Sequence, residues 1–299
     1  MRFWQSTAFS DPSQHVPLAM AAEEAGIYGV TMSDHVFFPK DLRTAYPYTG
    51  DGKPIWTPPT PWPDVWVTVG AMAAVTTRLQ FGTNVYIAPA RDPFTVAKAV
   101  GTAAVLSGGR VSLGVGAGWM KEEFDALGQE YHTRGARLDE MIGLLRTLWT
   151  PGWSEHHGRF YDVDPIMIEP TPARPVPIWC GGDSDAALWR AARLCDGWIG
   201  NPYHYDDAKR FITRLNELRT KAGREADPFE IIVAVLDPPS VDTYRRFEDL
   251  GVTGIVCVPW MMPFADFSRD VADVQGTTSL EMKKQALGRF SDEYISKLS

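Results

Sequence analysis

Cysteine is scarce: three in 299 residues, at positions 180, 195 and 257. They are far apart, with no C-x-x-C or His-rich spacing, which argues against a disulfide framework and against a metal site. Cys180 and Cys257 lie in apolar runs and are expected to be buried thiols. A basic surplus is missing as well. There are 29 Lys and Arg against 37 Asp and Glu, a net charge of −8, and no Lys/Arg cluster interrupts that balance. A nucleic-acid-binding surface is therefore not expected. No apolar run approaches the roughly 18 residues of a membrane span, and the N-terminus shows no apolar signal region. The expectation is a cytoplasmic protein with no membrane partner. The one compositionally biased stretch is 54–63, "PIWTPPTPWP", whose prolines demand an irregular loop.

Apolar residues are plentiful, at 44%, and they fall into short runs that alternate with helical patterns. Strands are predicted at Arg2–Phe9, Tyr28–His35, Leu79–Ile87 and Arg110–Ala117, then in "PVPIWCGG", "DGWIGNP", "FEIIVAVL" and "GIVCVPW". Helices are predicted after Asp11 or Ser13 up to Gly26, over Asp64–Thr77, from Pro93 to Ser107, over 134–149, 184–195, 205–222 and 240–250, and near 280–298. In 134–149, Leu138, Met141, Ile142, Leu145, Leu148 and Trp149 recur at helical spacing. Eight apolar strands, most followed by a helix, imply a parallel sheet. At this length a closed (β/α)8 TIM barrel is favoured over an open sheet. No linker divides the chain, so a single α/β domain over 1–299 is expected, with an irregular Pro-rich loop at 37–63. Barrel active sites sit where strands end. That rule selects 6–11, 33–60, 83–92, 114–124, 180–184, 200–204, 236–240 and 258–264.

Several of these segments carry groups with chemistry. The second strand ends on Asp34-His35. Either they cap a turn, or the strand delivers them to a site where His35 exchanges a proton. "GTNV" puts Asn84 and Val85 beside flexible Gly82, as a bulge or as a polar rim. "GVGAG", residues 114–118, is a poor dinucleotide fingerprint, because the third glycine comes one residue early. Its glycines either let a flat ligand reach the backbone or relieve crowding. "WCGGDSD" runs a strand through Gly181-Gly182 to Ser184 at a helix start, which is an anion cradle or an ordinary N-cap. Arg134 and Arg137, just inside a helix, oppose its dipole. They call for an acidic neighbour or an acidic ligand, or they form a solvated face. Of 11 tryptophans, eight stand out, Trp4, Trp56, Trp62, Trp66, Trp119, Trp179, Trp198 and Trp260, and several of these fall at or near predicted strand ends. As a group they suit a flat, partly apolar ligand.

The segments "SDHVFFP", "GTNVYIAPARDP", "LSGGRVSLGVGAGWMKEEFDALG", "RGARLDEMIGLLRTLW" and "PIWCGGDSDAALWRAARLCDGWIG" occur in an order that resembles the luciferase-like flavin and deazaflavin oxidoreductases. The tract from "DHVFFP" to "LQFGT" is similar to their coenzyme F420-dependent subgroup. The resemblance implies a luciferase-like barrel, commonly a homodimer, with the cofactor ring in its mouth. It implies an oxidoreductase passing a hydride between F420, a 5-deazaflavin, and an unnamed small organic substrate. An FMN-dependent monooxygenase of the same fold is the alternative, and a non-catalytic cofactor- or ligand-binding protein is a third possibility. By the same resemblance Asp34 and His35 meet the ring's polar edge, with His35 as the acid/base. Asn84-Val85 is a cis peptide behind the ring, and Gly116, Ala117 and Gly118 line it. Cys180, Gly181, Gly182 and Ser184 hold its phosphate. Phe37, Phe38, Trp56 and Trp119 wall the substrate pocket. One departure stands out: Trp119 occupies the place of a Glu in the F420-dependent sugar-phosphate dehydrogenases, which puts a sugar-phosphate substrate in doubt.

Overall fold

The structure, a computed structural model, describes residues 1–261 and 271–298. In chain order the strands are β1 (Arg2–Ser6), β2 (Gly29–Met32), β3 (Gln80–Thr83), β4 (Val111–Val115), β5 (Ser154–His157), β6 (Asp162–Ile166), β7 (Ile178–Gly181), β8 (Gly197–Tyr203), β9 (Glu230–Val235) and β10 (Gly254–Cys257). β5 and β6 form a separate antiparallel hairpin. The other eight close into a barrel in the order β1-β10-β9-β8-β7-β4-β3-β2, every neighbouring pair parallel. This is the expected (β/α)8 barrel. The helices are α1 (His15–Glu24), α2 (Val65–Ala73), α3 (Pro93–Leu106), α4 (Lys121–Ala126), α5 (Arg134–Leu148), α6 (Asp185–Leu194), α7 (Tyr205–Lys221), α8 (Val241–Asp249), α9 (Val271–Thr277) and α10 (Leu280–Phe290).

Local chemistry sets these boundaries. Asp64, Asp92, Ser184, Ser240 and Ser279 each accept a hydrogen bond from a first-turn N–H of the helix they precede, satisfying donors the helix cannot pair itself. Several strands are shorter than their apolar runs. β3 stops at Thr83, and beyond it only Tyr86 bridges to Val115. The sequence pattern also misses α4 and the β5–β6 hairpin. The hairpin strands SEHH and DVDPI are mostly polar and largely exposed, so they have no buried face to announce them. Of the last strand-end segment, 262–264 lie outside the described residues.

Strand residues alternate between two apolar layers. One layer lies between barrel and helices and includes Leu18, Val30, Phe81, Leu113, Ile178, Cys180 and Leu188. The other fills the barrel: Trp4, Trp179, Ile199, Ile232, Ala234 and Val256, with Val85 packed on it. The Trp4 and Trp179 rings meet edge to face, 5.2 Å apart. Their bulk is matched by absent side chains on other strands of the barrel. A Cβ on Gly29 would lie 2.4 Å from the Trp4 ring, and one on Gly82 2.8 Å from Trp179. The barrel is thus plugged below, and Val85 forms the top of the plug.

Candidate active site

At the C-terminal ends of the barrel strands lies a cavity of about 820 Å3. Its floor is the Asn84-Val85 segment, whose peptide bond is cis. The Asn84 N–H donates to Met32 O at 2.7 Å, and the Ser33 hydroxyl donates to Asn84 O at 2.7 Å. The Val85 side chain occupies space that two strands leave empty. A Cβ on Gly116 would come within 2.5 Å of Val85 Cγ2, and a Cβ on Gly181 within 2.5 Å of Cγ1. Gly116 and Gly181 therefore make room for Val85, and their backbones flank a flat apolar floor.

His35 stands at one side of this floor. Its Nδ1 lies 3.2 Å from both Glu123 carboxylate oxygens, and Glu123 Oε1 also accepts the Val36 N–H at 2.7 Å. Both side chains are nearly buried, 8% and 3% exposed. With Nδ1 donating to Glu123, Nε2 is the nitrogen left for a ligand. Aromatic rings enclose the imidazole: Trp62 at 4.8 Å, Trp56 at 5.0 Å and Trp119 at 5.9 Å between centroids. Tyr46 packs on Trp56 and Trp119, and Phe9 on Trp56 and Trp62.

Asp34 also borders the cavity, but its carboxylate is committed elsewhere. The Arg91 guanidinium donates to both oxygens at 2.8 Å, and the Ile87 N–H donates to Oδ2 at 3.0 Å. Burial raises the Asp34 pKa, and Arg91 and the Ile87 N–H oppose that rise. Arg91 in turn lies over the Tyr86 ring at 4.4 Å. The pair ties the end of β2 to the turn after the Asn84-Val85 bulge and so steadies the floor.

The far end of the cavity carries two guanidiniums, Arg134 and Arg190, the latter paired with Asp139, and the Asp183 carboxylate, which is taken up by Asn201 and Tyr203. Gly182 has φ +104°, a conformation that favours glycine. It delivers Ser184 as N-cap of α6, where Ser184 Oγ accepts from Ala187 N at 3.2 Å. Gly135 and Ala136 of α5 and Ala186 and Ala187 of α6 line this end, so two helix N-termini face it, together with Arg134 and Arg190. Arg134 Nε donates to Gly118 O at 2.8 Å and Nη1 to Tyr131 O at 2.9 Å. Arg190 is buried and held by Asp139 and by Gly135 O. Helix N-termini with fixed guanidiniums favour an anion. A flat floor with a polar imidazole at one end and a cradle of helix N-termini and guanidiniums at the other fits a planar ring compound with an anionic tail.

Most of the residues singled out in the sequence meet here: Asp34, His35, Trp56, Asn84, Val85, Gly116, Ala117, Gly118, Trp119, Gly181, Gly182 and Ser184 all line the cavity. Three do not. Cys180 is fully buried, because alternation along β7 turns Trp179 and Gly181 inward and sends Cys180 to the helix-facing layer. Its thiol approaches Ala187 O on α6 at 3.7 Å. Phe37 and Phe38 are half-buried but lie outside the cavity lining. Glu123 holds the N–H of Val36, and Glu122 holds the N–H groups of Arg43 and Thr44 at 2.8 and 3.0 Å. The segment between is thus strapped across α4. The return leg of the loop, with Tyr46, Tyr48, Trp56 and Trp62, forms the wall instead.

Sequence reasoning gave no role to Glu123, Arg91, Arg190, Asp183 or Asn201. Glu123 sits in the short helix of "GWMKEEF", which no periodicity marks. Asp183 accepts from the Tyr203 hydroxyl, and from Asn201 Nδ2 at 2.8 Å; it appears in the sequence only as a helix-start acid. Of the arginine pair, Arg134 reaches the cavity. Arg137 is buried against Gln129, Glu130 O and Thr133. Among the described residues, no group of three or more His, Cys, Asp or Glu could hold a metal ion, and no helix is long and apolar enough to cross a membrane.

Comparison with known proteins finds relatives in sequence and in fold. A family model described as luciferase-like monooxygenase matches residues 3–237. The protein Rv0940c of Mycobacterium tuberculosis is 39% identical over 298 residues, spanning 100% of both chains. The F420-dependent glucose-6-phosphate dehydrogenase of Nakamurella multipartita is 33% identical over 247 residues, 80% of this chain and 67% of that one. Two solved structures share the fold. The monooxygenase RslO1 from Streptomyces bottropensis superposes with a TM-score of 0.75 at 16% identity, covering 100% of both chains. The coenzyme F420 dependent tetrahydromethanopterin reductase from Methanopyrus kandleri gives a TM-score of 0.73 at 14% identity, covering 100% of this chain and 99% of that one. With its family model matched across most of the barrel, the chain belongs to the luciferase-like monooxygenase family, and it is an enzyme.

Proposed function

We propose that this enzyme is a coenzyme F420-dependent oxidoreductase acting on a small organic substrate. The observation that carries the reading is the cavity's polarity: His35 backed by Glu123 at one end, a flat Val85 floor, and the Arg134–Arg190–Ser184 cradle at the other. The relative from Nakamurella multipartita, named for F420 dependence, favours the deazaflavin over FMN. When bound, the deazaflavin would give or take a hydride at its C5.

The chain's own residues have separate tasks. Val85 supports one face of the ring, kept in place by the gaps at Gly116 and Gly181. Gly118 and Ala117 line its edge, and Asp34 acts through Arg91 and the Ile87 N–H to steady the floor. The first turns of α5 and α6, with Arg134 and Arg190, hold the anionic tail. His35 exchanges a proton with the substrate through Nε2 while Glu123 holds Nδ1. Trp56, Trp62 and Trp119 exclude water from that exchange.

The same reading includes a homodimer in the cytoplasm. Val67 on α2 and Leu106 at the end of α3 are 74% and 68% exposed, apolar surface that a second copy would cover. All three cysteines are free thiols, which suits a reducing compartment. Sedimentation at micromolar concentration checks the dimer. The decisive experiment for the cofactor is titration of the purified protein with F420 and with FMN, followed by tryptophan fluorescence. Saturable quenching by F420 is expected. Binding of FMN without F420 would overturn the assignment in favour of a flavin monooxygenase.

A further inference from the structure

The cavity is chemically lopsided. Its arginines, Arg134 and Arg190, stand at the α5–α6 end. At the His35 end the walls are Phe9, Tyr46, Trp56, Trp62 and Trp119, in mutual ring contact. Among the described residues no Lys or Arg lies over those tryptophan rings, and Arg134, whose Nε reaches Gly118 O next to Trp119, is anchored on that carbonyl and on Tyr131 O, over the Tyr131 ring. Two imidazoles line the cavity: His132 beside Tyr131, and His35, which already shares the Glu123 carboxylate, so that the His35–Glu123 pair adds no net positive charge to attract an anion. Asp34 is likewise neutralised by Arg91. A phosphate or carboxylate placed among these tryptophans would lose its water and gain no cation. Burying a polar group without a partner costs about 2–7 kcal/mol, and an unpaired charge costs more. A flat apolar ring loses nothing there and gains offset or edge-to-face contacts worth roughly 0.5–1.5 kcal/mol per pair beyond the area it buries.

We propose that the His35 end takes an uncharged, flat, predominantly apolar ring compound, and that it rejects phosphorylated sugars. This rests on the reading above, in which the cofactor tail occupies the arginine end and the substrate the tryptophan end. The matched relative from Nakamurella multipartita is named a glucose-6-phosphate dehydrogenase; at this end of the pocket the present chain is built for the opposite polarity.

The test compares one ring with and without charge. Full-length protein, saturated with whichever of F420 or FMN it binds so that the arginine end is filled, is titrated calorimetrically with 1-naphthol, 1-naphthyl phosphate and glucose 6-phosphate. The neutral ring is expected to bind about tenfold tighter or more than its phosphate ester, a difference of about 1.4 kcal/mol, with no measurable heat from the sugar phosphate. Trp56→Ala should weaken 1-naphthol while leaving cofactor affinity unchanged. Trp56→Phe, which keeps a ring and guards against misfolding, should retain most of the binding. Equal or tighter binding of the phosphate ester, binding of glucose 6-phosphate, or indifference to Trp56→Ala would each overturn the proposal. The cofactor titration is read separately. A protein that binds FMN alone therefore ends the F420 assignment without deciding the substrate class.

Discussion

Both carboxylate oxygens of Glu123 stand 3.2 Å from Nδ1 of His35, deep in an aromatic enclosure. The contact fixes which imidazole nitrogen faces the ligand, and it supplies an anion beside any imidazolium that forms. Glu123→Gln keeps an oxygen for the Val36 N–H but removes that charge. Turnover is expected to fall by about tenfold or more, a part of the roughly hundred- to ten-thousand-fold that positioned proton transfer contributes. Cofactor affinity should be nearly untouched, because the tail contacts lie at the other end. Steady-state kinetics beside a cofactor titration reads the two separately. A matching loss of cofactor affinity would mean that Glu123 only shapes the pocket.

Gly181 and Val85 are complementary in volume. Gly181→Ala places a methyl 2.5 Å from Val85 Cγ1, with the barrel plug beneath. Overpacking of this kind costs about 1–3 kcal/mol, and here the strain falls on the floor of the site. Stability by urea denaturation and cofactor affinity should both drop. Adding Val85→Ala removes the colliding methyl, so the double variant should recover stability relative to Gly181→Ala alone. Simple additivity of the two changes would show that the glycine has another purpose.

The barrel was legible because each strand is a short apolar run and each helix begins on a recognisable cap. Alternation along a strand is equally legible in the sequence, although the motif joins Cys180 to the loop residues that follow it. Counting faces from inward Trp179 would have turned it away from the mouth. Phe37 and Phe38 lie outside the cavity lining for a different reason. The path of an irregular loop is set by what its backbone N–H groups find, here Glu122 and Glu123 on a helix too short to show in the pattern. Asp34 was visible as a residue but not in its role, since its partner Arg91 is 57 positions away and no periodicity links them. Local signals reveal elements; contacts between strand ends are long-range and must be seen.

Lys283 on α10 is wholly buried. Its ammonium donates to Gln14 Oε1 at 2.7 Å and to Gln275 O at 2.8 Å, and it lies 5.1 Å from the centre of the Trp260 ring. Burial lowers its pKa to about 8, whereas an unfolded lysine titrates near about 10.4. Between these values the unfolded chain binds more protons, so folding stability contributed by this group rises with pH across that window. Lys283→Met removes the dependence. The stability of the native protein minus that of the variant should therefore increase from pH 7.5 to pH 10, by roughly 1–3 kcal/mol. Denaturation of both proteins at the two pH values checks the sign. A flat difference would mean that the ammonium is solvated in the folded state.

Arg91 and Asp34 make the strongest electrostatic test of the site's architecture. Arg91→Met leaves the Asp34 carboxylate buried with the Ile87 N–H at 3.0 Å but without its cation. Breaking a buried pair from one side costs about 3–5 kcal/mol. The Asp34 pKa is already raised by burial, and loss of Arg91 raises it further. A carboxyl whose folded pKa lies above its unfolded one destabilises the fold most at neutral pH, and that penalty fades as pH falls toward the ordinary carboxylate range. The stability gap between native protein and variant should thus be widest near pH 7 and narrow on acidification. Adding Asp34→Asn to Arg91→Met should recover part of the loss at pH 7 and abolish the narrowing. Because the pair holds the turn behind Val85, cofactor affinity should follow stability in all three proteins. A variant that bound cofactor normally while losing stability would separate the ion pair from the floor it is argued to support.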